Sequence, residues 1–175
     1  MIAIENLSFR YSATSFRLRV PAFTLGDKER VAIVGPSGSG KTTLLNLIAG
    51  ILTPETGTVS VAGSDVAPLP AVARRRFRTS TIGYEYQDFA LLDYLSARQN
   101  ILYPYRITPA LTLDADAHAR AESLAAACGI GDKLDRHPTA LSQGEQQRVA
   151  ICRALVTQPI LILSDDATGN LDPDS

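Results

Sequence analysis

The run Gly35-Pro36-Ser37-Gly38-Ser39-Gly40-Lys41-Thr42-Thr43 carries the densest chemistry in the chain. Glycines at 35, 38 and 40 let the backbone wrap tightly, so several N–H groups can converge on one anion. Lys41 is placed to reach β- and γ-phosphates, and the Thr42 hydroxyl is placed to ligate Mg²⁺. Val31-Ala32-Ile33-Val34 precedes the run and reads as a buried strand; Leu44 to Ala49 follows and reads as a helix closed by Gly50. The positive end of that helix dipole would add to the field. An ordinary glycine turn is the competing reading, but the G-x-x-x-x-G-K-T pattern arises by chance in roughly one chain in a hundred of this length. The stretch predicts binding of a nucleoside triphosphate.

A second cluster closes an apolar run, Ile160-Leu161-Ile162-Leu163, which reads as a buried strand ending in Ser164-Asp165-Asp166. Parallel strands present ligand-facing groups at their carboxyl ends. Alone, two aspartates there are more often a cap or turn. Behind a phosphate cradle, Asp165 is expected to hold Mg²⁺ through water, with Asp166 one residue further toward the γ-phosphate. Thr81 to Tyr86 is strand-like and delivers Gln87 at its end. Leu141-Ser142-Gln143-Gly144-Glu145 opens a helix running to about Val156. Its Ser142-x-x-Glu145 spacing is a complete capping box. The same helix end also suits a second anion site, with Ser142 and the Gly144 amide facing a phosphate. Both readings stay open at this point.

These residues need a scaffold, and 175 residues suit one compact domain able to bury a real core. A formal net charge of −1 gives no support to a nucleic-acid partner. Cys128 and Cys152 lack metal-ligand or redox spacing and read as buried thiols of a reducing compartment. No apolar run approaches bilayer length, and Met1 leads straight into strand-like residues without a secretory leader. The expected location is the cytoplasm, with any membrane role supplied by a partner.

Ile2, Ile4, Leu7, Phe9 and Tyr11, then Phe16, Leu18 and Val20 before Pro21, alternate with polar residues and predict half-buried antiparallel strands. On this pattern alone Tyr11 reads first as strand filler. Thr58 to Val61 is another short strand. Arg74, Arg75, Arg76 and Arg78 form a basic helical turn whose default state is a solvated face. From Asp88 to Tyr105 the apolar and aromatic content exceeds what a short segment easily hides, and packing or docking explain it equally well. Asp114 to Cys128 predicts a helix with Ala117, Ala121, Leu124, Ala125 and Cys128 on one stripe and Gly129 as its stop. Neither His118 nor His137 has a companion suggesting a metal.

In their order, these motifs resemble the nucleotide-binding subunit of ABC transporters across nearly the whole chain. The resemblance makes GPSGSGKTT the P-loop, Gln87 the glutamine that senses Mg²⁺ and the membrane partner, and LSQGEQQRVAICRAL the signature segment. It puts Tyr11 where the family stacks an aromatic ring on adenine. ATGNLD, Ala167 to Asp172, resembles the loop that crosses the dimer interface, in wording similar to the branch serving lipoprotein release, macrolide export and cell division. What this implies is an α/β fold. A P-loop core (1–87 and 151–175) would carry an antiparallel β subdomain, and 88–150 a helical subdomain. ATP and Mg²⁺ would be the cofactors, with Lys41, Gln87 and Asp166 carrying catalysis and Thr42, Gln87 and Asp165 near the metal. A second ATP-binding subunit would face the first head to tail, so that Ser142, Gln143, Gly144 and Glu145 meet the partner's γ-phosphate. An integral membrane permease would receive the motion through Gln87 and residues 89–105, holding the chain at the inner face of the membrane.

Four features depart from the family. Asp166 stands where a glutamate usually polarises the attacking water, and its carboxylate is about 1.5 Å shorter in reach. Such a misplacement can cost on the order of a hundredfold in rate. Ala167 replaces a proline, and Gln143 replaces a glycine at a helix end meant to approach phosphate. The sequence stops at Ser175, before the family's histidine-bearing strand and the strands and helices after it. The expectation is therefore ATP binding with little hydrolysis by this chain alone. The runner-up is a hydrolysis-deficient ATP switch acting on a membrane partner. A soluble ATPase working on DNA or ribosomes lacks support, since no coiled-coil insertion or tandem cassette is present.

Overall fold

Strand β1 (Ile2–Arg10) buries Ile2 and Ile4, then Leu7 and Phe9, so its apolar period slips by one residue midway. A strict alternation would turn Leu7 to the opposite face. The extra residue is absorbed at Asn6, whose φ is 48°. The pairing of β1 with β3 (Thr56–Val61) shifts between Glu5 and Ser8 accordingly. Strand β2 (Arg17–Leu25) continues through Pro21, beyond the stop that the alternation predicts. With the short β4 (Ser64–Asp65), the antiparallel sheet runs β2-β1-β3-β4, so β2 is an edge. Pro21 falls in the gap between the pairs Glu5–Ala22 and Leu7–Val20, where the ladder asks for no donor.

The structure, a computed structural model, describes residues 2–12 and 16–165, which form two units dividing between Arg78 and Thr79. In the first unit, helix α1 (Lys41–Ile48) lays Leu47 and Ile48 against a core completed by Val59 and Val61 of β3. Helix α2 (Ala71–Thr81) carries the arginine run. Arg74 and Arg78 reach backbone carbonyls. Arg74 Nη1 donates to Leu69 O at 3.4 Å, and Arg78 Nη1 donates to Ala49 O and Gly50 O at 3.5 Å, closing the end of α1.

The expected strand at residues 31–34 is not formed. Val31 is 53% and Val34 89% exposed, and neither belongs to a strand. An apolar run of this type is stable only with paired neighbours and cover on both faces. The described sheet of this unit is antiparallel and supplies neither.

The second unit holds β5 (Ile82–Glu85) and β6 (Leu161–Ser164), paired in parallel with Ile82 opposite Leu161. Around them lie α3 (Ala97–Ile101), α4 (Tyr103–Arg106), α5 (Ala115–Ala127) and α6 (Gln143–Leu155). Gly83 permits the close seating of α6, since a β-carbon there would lie 2.2 Å from Ala154 O. Ala117, Ala121 and Ala125 recur every fourth residue and are fully buried, giving α5 a flat face toward the helical core. Asp114 caps that helix by accepting from Ala117 N at 2.8 Å. The 88–105 segment is mostly packed: Phe89, Ile101, Leu102 and Tyr105 are buried, and Tyr105 Oη donates to Val156 O at 2.9 Å. Tyr94 alone of its aromatics is strongly exposed, at 73%. Burial pushes the Cys152 thiol up to about 12, which leaves it protonated and inert. The expected buried strand at 160–163 is covered only in part: Leu163 is buried, whereas Ile160 and Ile162 are exposed. Among the described residues β6 has a neighbour on one side only. No helix of the described residues is long and apolar enough to cross a membrane.

Candidate functional site

Helix α1 starts on Gly40, at φ 100° and ψ 15°, so its N-cap has no side chain to accept from the first turn. Gly38 is also left-handed, at φ 77°. A side chain would strain both positions, and at Gly40 a β-carbon would meet Phe16 Cζ at 2.8 Å. The first turn contains no acidic residue, so the positive end of the dipole is not offset from within the helix. Residues 35–39 and Thr42 are exposed, leaving this end open to an incoming anion.

Ser39 N donates to Pro36 O at 3.2 Å, tightening the loop. Lys41 Nζ donates to Gly35 O at 2.8 Å and Pro36 O at 3.1 Å. The ammonium is thus held over the loop by two neutral carbonyls. Bonds to a phosphate oxygen are stronger, because both partners then carry charge. An anion arriving at the α1 amides therefore finds a lysine free to exchange its acceptors.

Tyr11 is brought to the same place. Its Oη lies 3.3 Å from Thr43 Oγ1, and its ring packs edge-on to Phe9 at 4.8 Å and tilted to Phe16 at 6.1 Å. Tyr11 is 39% exposed, leaving room for a further stacking partner. Phe16 also belongs to this cluster, whereas the sequence offers it only as one position in a strand alternation. Its place depends on the reversal of the chain between β1 and β2, which no local spacing announces.

In the second unit, β5 and β6 end at one level, Glu85 opposite Ser164. Gln87 and Asp165 therefore leave from the same end of the sheet. Gln87 is exposed, whereas Asp165 is buried and its N–H donates to Glu85 O at 3.0 Å. Burial, then the charge of Asp165, raises the Tyr84 hydroxyl above the usual phenol range, and Tyr86 adds to this while stacking on it at 4.3 Å. Glu85 was not singled out from sequence. It is a buried carboxylate, accepting from Ser164 Oγ at 2.5 Å and from Gln147 Nε2 of α6 at 3.4 Å. An acid inside an otherwise apolar, aromatic strand was its available signal.

The tip of α6 is closed on itself. Glu145 N donates to Ser142 Oγ at 3.3 Å, and Ser142 N donates to Glu145 Oε2 at 2.7 Å. That second bond, above all, holds the Glu145 carboxyl below its ordinary range. Ser142 and Gln143 are exposed and Gly144 partly so. The first unit thus gathers Tyr11, Phe16 and the 35–43 loop; the second carries Gln87, Asp165 and the 142–145 tip. Asp166 and the 167–172 segment lie outside the described residues.

A family model described as "ABC transporter" matches residues 18–169. The chain is similar to the lipoprotein-releasing system ATP-binding protein LolD of Hydrogenovibrio crunogenus, with 45% identity over 153 residues, 87% of this chain and 66% of that protein. The LolD of Pseudomonas fluorescens is 46% identical over 144 residues, 82% of this chain and 63% of its own length. The chain therefore spans less than two thirds of these curated relatives. Among solved structures it is similar to the ATP-binding cassette MJ0796 in a dimeric post-hydrolysis state bound to ADP and Pi, at 30% identity and a TM-score of 0.88, covering 99% of this chain and 77% of that one. A second dimeric structure of MJ0796, described as a bacterial ABC transporter cassette, matches with 31% identity and a TM-score of 0.88.

Proposed function

Because the chain belongs to the ABC transporter family, we propose that it is the ATP-binding part of a subunit that couples ATP binding and hydrolysis to a membrane-embedded lipoprotein-release or related transport complex. The observation that carries the reading is the start of α1: uncapped, free of acid, and flanked by Lys41 and the Tyr11 ring. The triphosphate would lie on the loop amides with Lys41 at the β- and γ-phosphates, and adenine would stack on Tyr11. Mg²⁺ fits the donor set, since it takes one or two protein oxygens and fills the rest with water and phosphate. Thr42 Oγ1 and Gln87 would supply those oxygens, Asp165 would hold the ion through water, and Asp166 would orient the attacking water. When bound, the ion neutralises charge on the β- and γ-phosphates.

A second copy supplies the remaining half, in line with the dimeric cassettes to which the chain is similar. Ser142 and the Gly144 amide would then face the nucleotide held by the partner subunit. The LolD relatives support lipoprotein release as the process and imply a membrane subunit as the other partner, with the chain at the cytoplasmic face. Titration with Mg-ATP tests the reading. Binding raises the unfolding midpoint by mass action, about 2.7 kcal/mol at a hundredfold excess over Kd. A folded sample whose midpoint stays fixed at millimolar Mg-ATP overturns it.

Asp166 favours a second reading, an ATP clamp that turns over slowly and regulates its partner. Substituting Asp166→Glu in the full-length protein separates the two. A large gain in phosphate release points to an impaired motor, and no gain points to the clamp.

A further inference from the structure

Phe89 and Ala90 adopt consecutive left-handed conformations, φ 60° and 45°, although neither is glycine. Residues with a β-carbon are disfavoured there, and two in succession persist only when something outside the segment holds them. The hold comes from α6. Arg153 Nη1 donates to Ala90 O at 2.6 Å, and its Nη2 donates to Phe89 O. The side chain is buried, at 9% exposure, and spans both carbonyls with the two arms of one planar fork. An ammonium cannot copy that geometry. On the other side, Phe89 N donates to Tyr86 O at 2.9 Å, which folds residues 86–89 into a turn around Gln87. Downstream, the buried Asn100 accepts from Leu92 N at 2.8 Å and donates to Leu95 O at 3.0 Å, fixing the far end of the segment.

We propose that Arg153 is a positioning residue: by gripping the Phe89 and Ala90 carbonyls it sets the place of Gln87 and ties that place to α6. The inference rests on the reading of Gln87 as a Mg²⁺ contact. It adds a mechanical link, since the helix whose tip carries Ser142 and Gly144 also holds the exit of the glutamine turn. A shift of α6 would be felt at Gln87 without any change in the P-loop.

Two readouts test this in the intact protein: amide exchange at residues 87–92, and ATP affinity in EDTA compared with Mg²⁺. In Arg153→Met, exchange at 87–92 is expected to rise by at least about tenfold with little change in α5, as for a local opening. The gain in affinity on adding Mg²⁺ should fall by at least about fivefold, while affinity in EDTA stays within about twofold. Arg153→Lys should not restore either, because one ammonium cannot span both carbonyls. Ala90→Pro supplies an independent route if Arg153→Met fails to fold. It keeps the guanidinium but forces φ near −65°, and it should reproduce both effects, whereas Ala90→Gly should stay close to wild type. Unchanged exchange and an unchanged Mg²⁺ gain in a folded Arg153→Met or Ala90→Pro variant overturn the inference. A wild-type protein that binds ATP with no gain from Mg²⁺ overturns it as well. A wild-type protein that binds no ATP sinks the proposed function, and the grip of Arg153 then stands or falls on exchange alone.

Discussion

Two helices of this chain begin at exposed ends and treat their first-turn amides in opposite ways. Helix α6 satisfies its own: Ser142 and Glu145 exchange hydrogen bonds across the cap, and the acid sits against the positive end of the dipole. Helix α1 does neither, starting on a left-handed glycine with no side-chain acceptor and no acid in the turn. A cap contributes about 1 kcal/mol to helix stability, so α1 forgoes a gain that α6 keeps. An anion bound there, as proposed, would recover the forgone gain. Being a helix N-terminus is therefore not what would mark the proposed phosphate site; a terminus with neither a capping side chain nor an acid is. With Ser142 N–H taken by Glu145, a phosphate at α6 would be met by the Ser142 hydroxyl proton and the Gly144 amide, as suits a ligand brought by a second molecule.

The sharpest way to break this contrast is Lys41→Ala. Among the described residues its ammonium donates to the Gly35 and Pro36 carbonyls in an exposed loop, so stability without nucleotide should change by less than about 0.5 kcal/mol. ATP affinity should fall by about a hundredfold or more, the loss of charge-assisted bonds to phosphate. Calorimetric titration beside thermal unfolding reads both, and wild-type affinity in the variant would remove the cradle from consideration. Tyr11→Ala should cost less, on the order of tenfold, as expected for one base stacked on an aromatic ring. Tyr11→Phe keeps the ring and loses only the contact to Thr43 Oγ1, so it should bind within about threefold of wild type. Equal losses in the two variants would assign the effect to the hydroxyl and not to stacking.

What could be read from sequence divides along the same line. The α1 and α6 starts are local: glycine spacing, Lys41-Thr42 and Ser142-x-x-Glu145 fall within single turns, and each is found where its spacing placed it. The alternation of β1 was legible too, but the slip at Asn6 that keeps Leu7 and Phe9 inside was not, because it depends on pairing with β3. Val31 to Val34 shows the limit most plainly. An apolar run states a need for neighbours, not their presence, and here Val34 lies open. Arg153 was hidden for another reason. Inside the helix pattern it is one more basic residue, and its task is set by carbonyls more than sixty positions earlier in the chain.

A smaller effect distinguishes the helix ends by stability. Ser142→Ala should destabilise the second unit by about 1 kcal/mol, the usual loss of an N-cap, as read from denaturant unfolding. It should leave the affinity of a single chain for Mg-ATP unchanged. A drop in single-chain affinity would mean that the α6 tip contacts the chain's own nucleotide, against the division drawn above.

The smallest expected effect is a pH dependence confined to α6. The N–H of Ser142 holds the folded Glu145 carboxyl below its ordinary value near 4.5, with the Ser142 hydroxyl and the charges of Lys133 and Arg136 acting in the same direction. A group depressed on folding stabilises the native state above its unfolded value, and that contribution is lost as pH falls through the folded one. The difference in unfolding midpoint between wild type and Glu145→Ala should thus hold steady from pH 7 to about 5 and shrink below about 4.5. Amide exchange at residues 142 and 145 would follow the same course, even if other groups dominate global acid unfolding. Because the carboxyl is exposed, added salt should narrow the gap at neutral pH through screening. The α1 end carries no carboxylate in its first turn, so exchange at residues 41–43 should show no matching step between pH 5 and 3. A gap at α6 that does not narrow at all as pH falls below about 4.5, or an equal step at α1, would mean that the two helix ends are not satisfied in different ways after all.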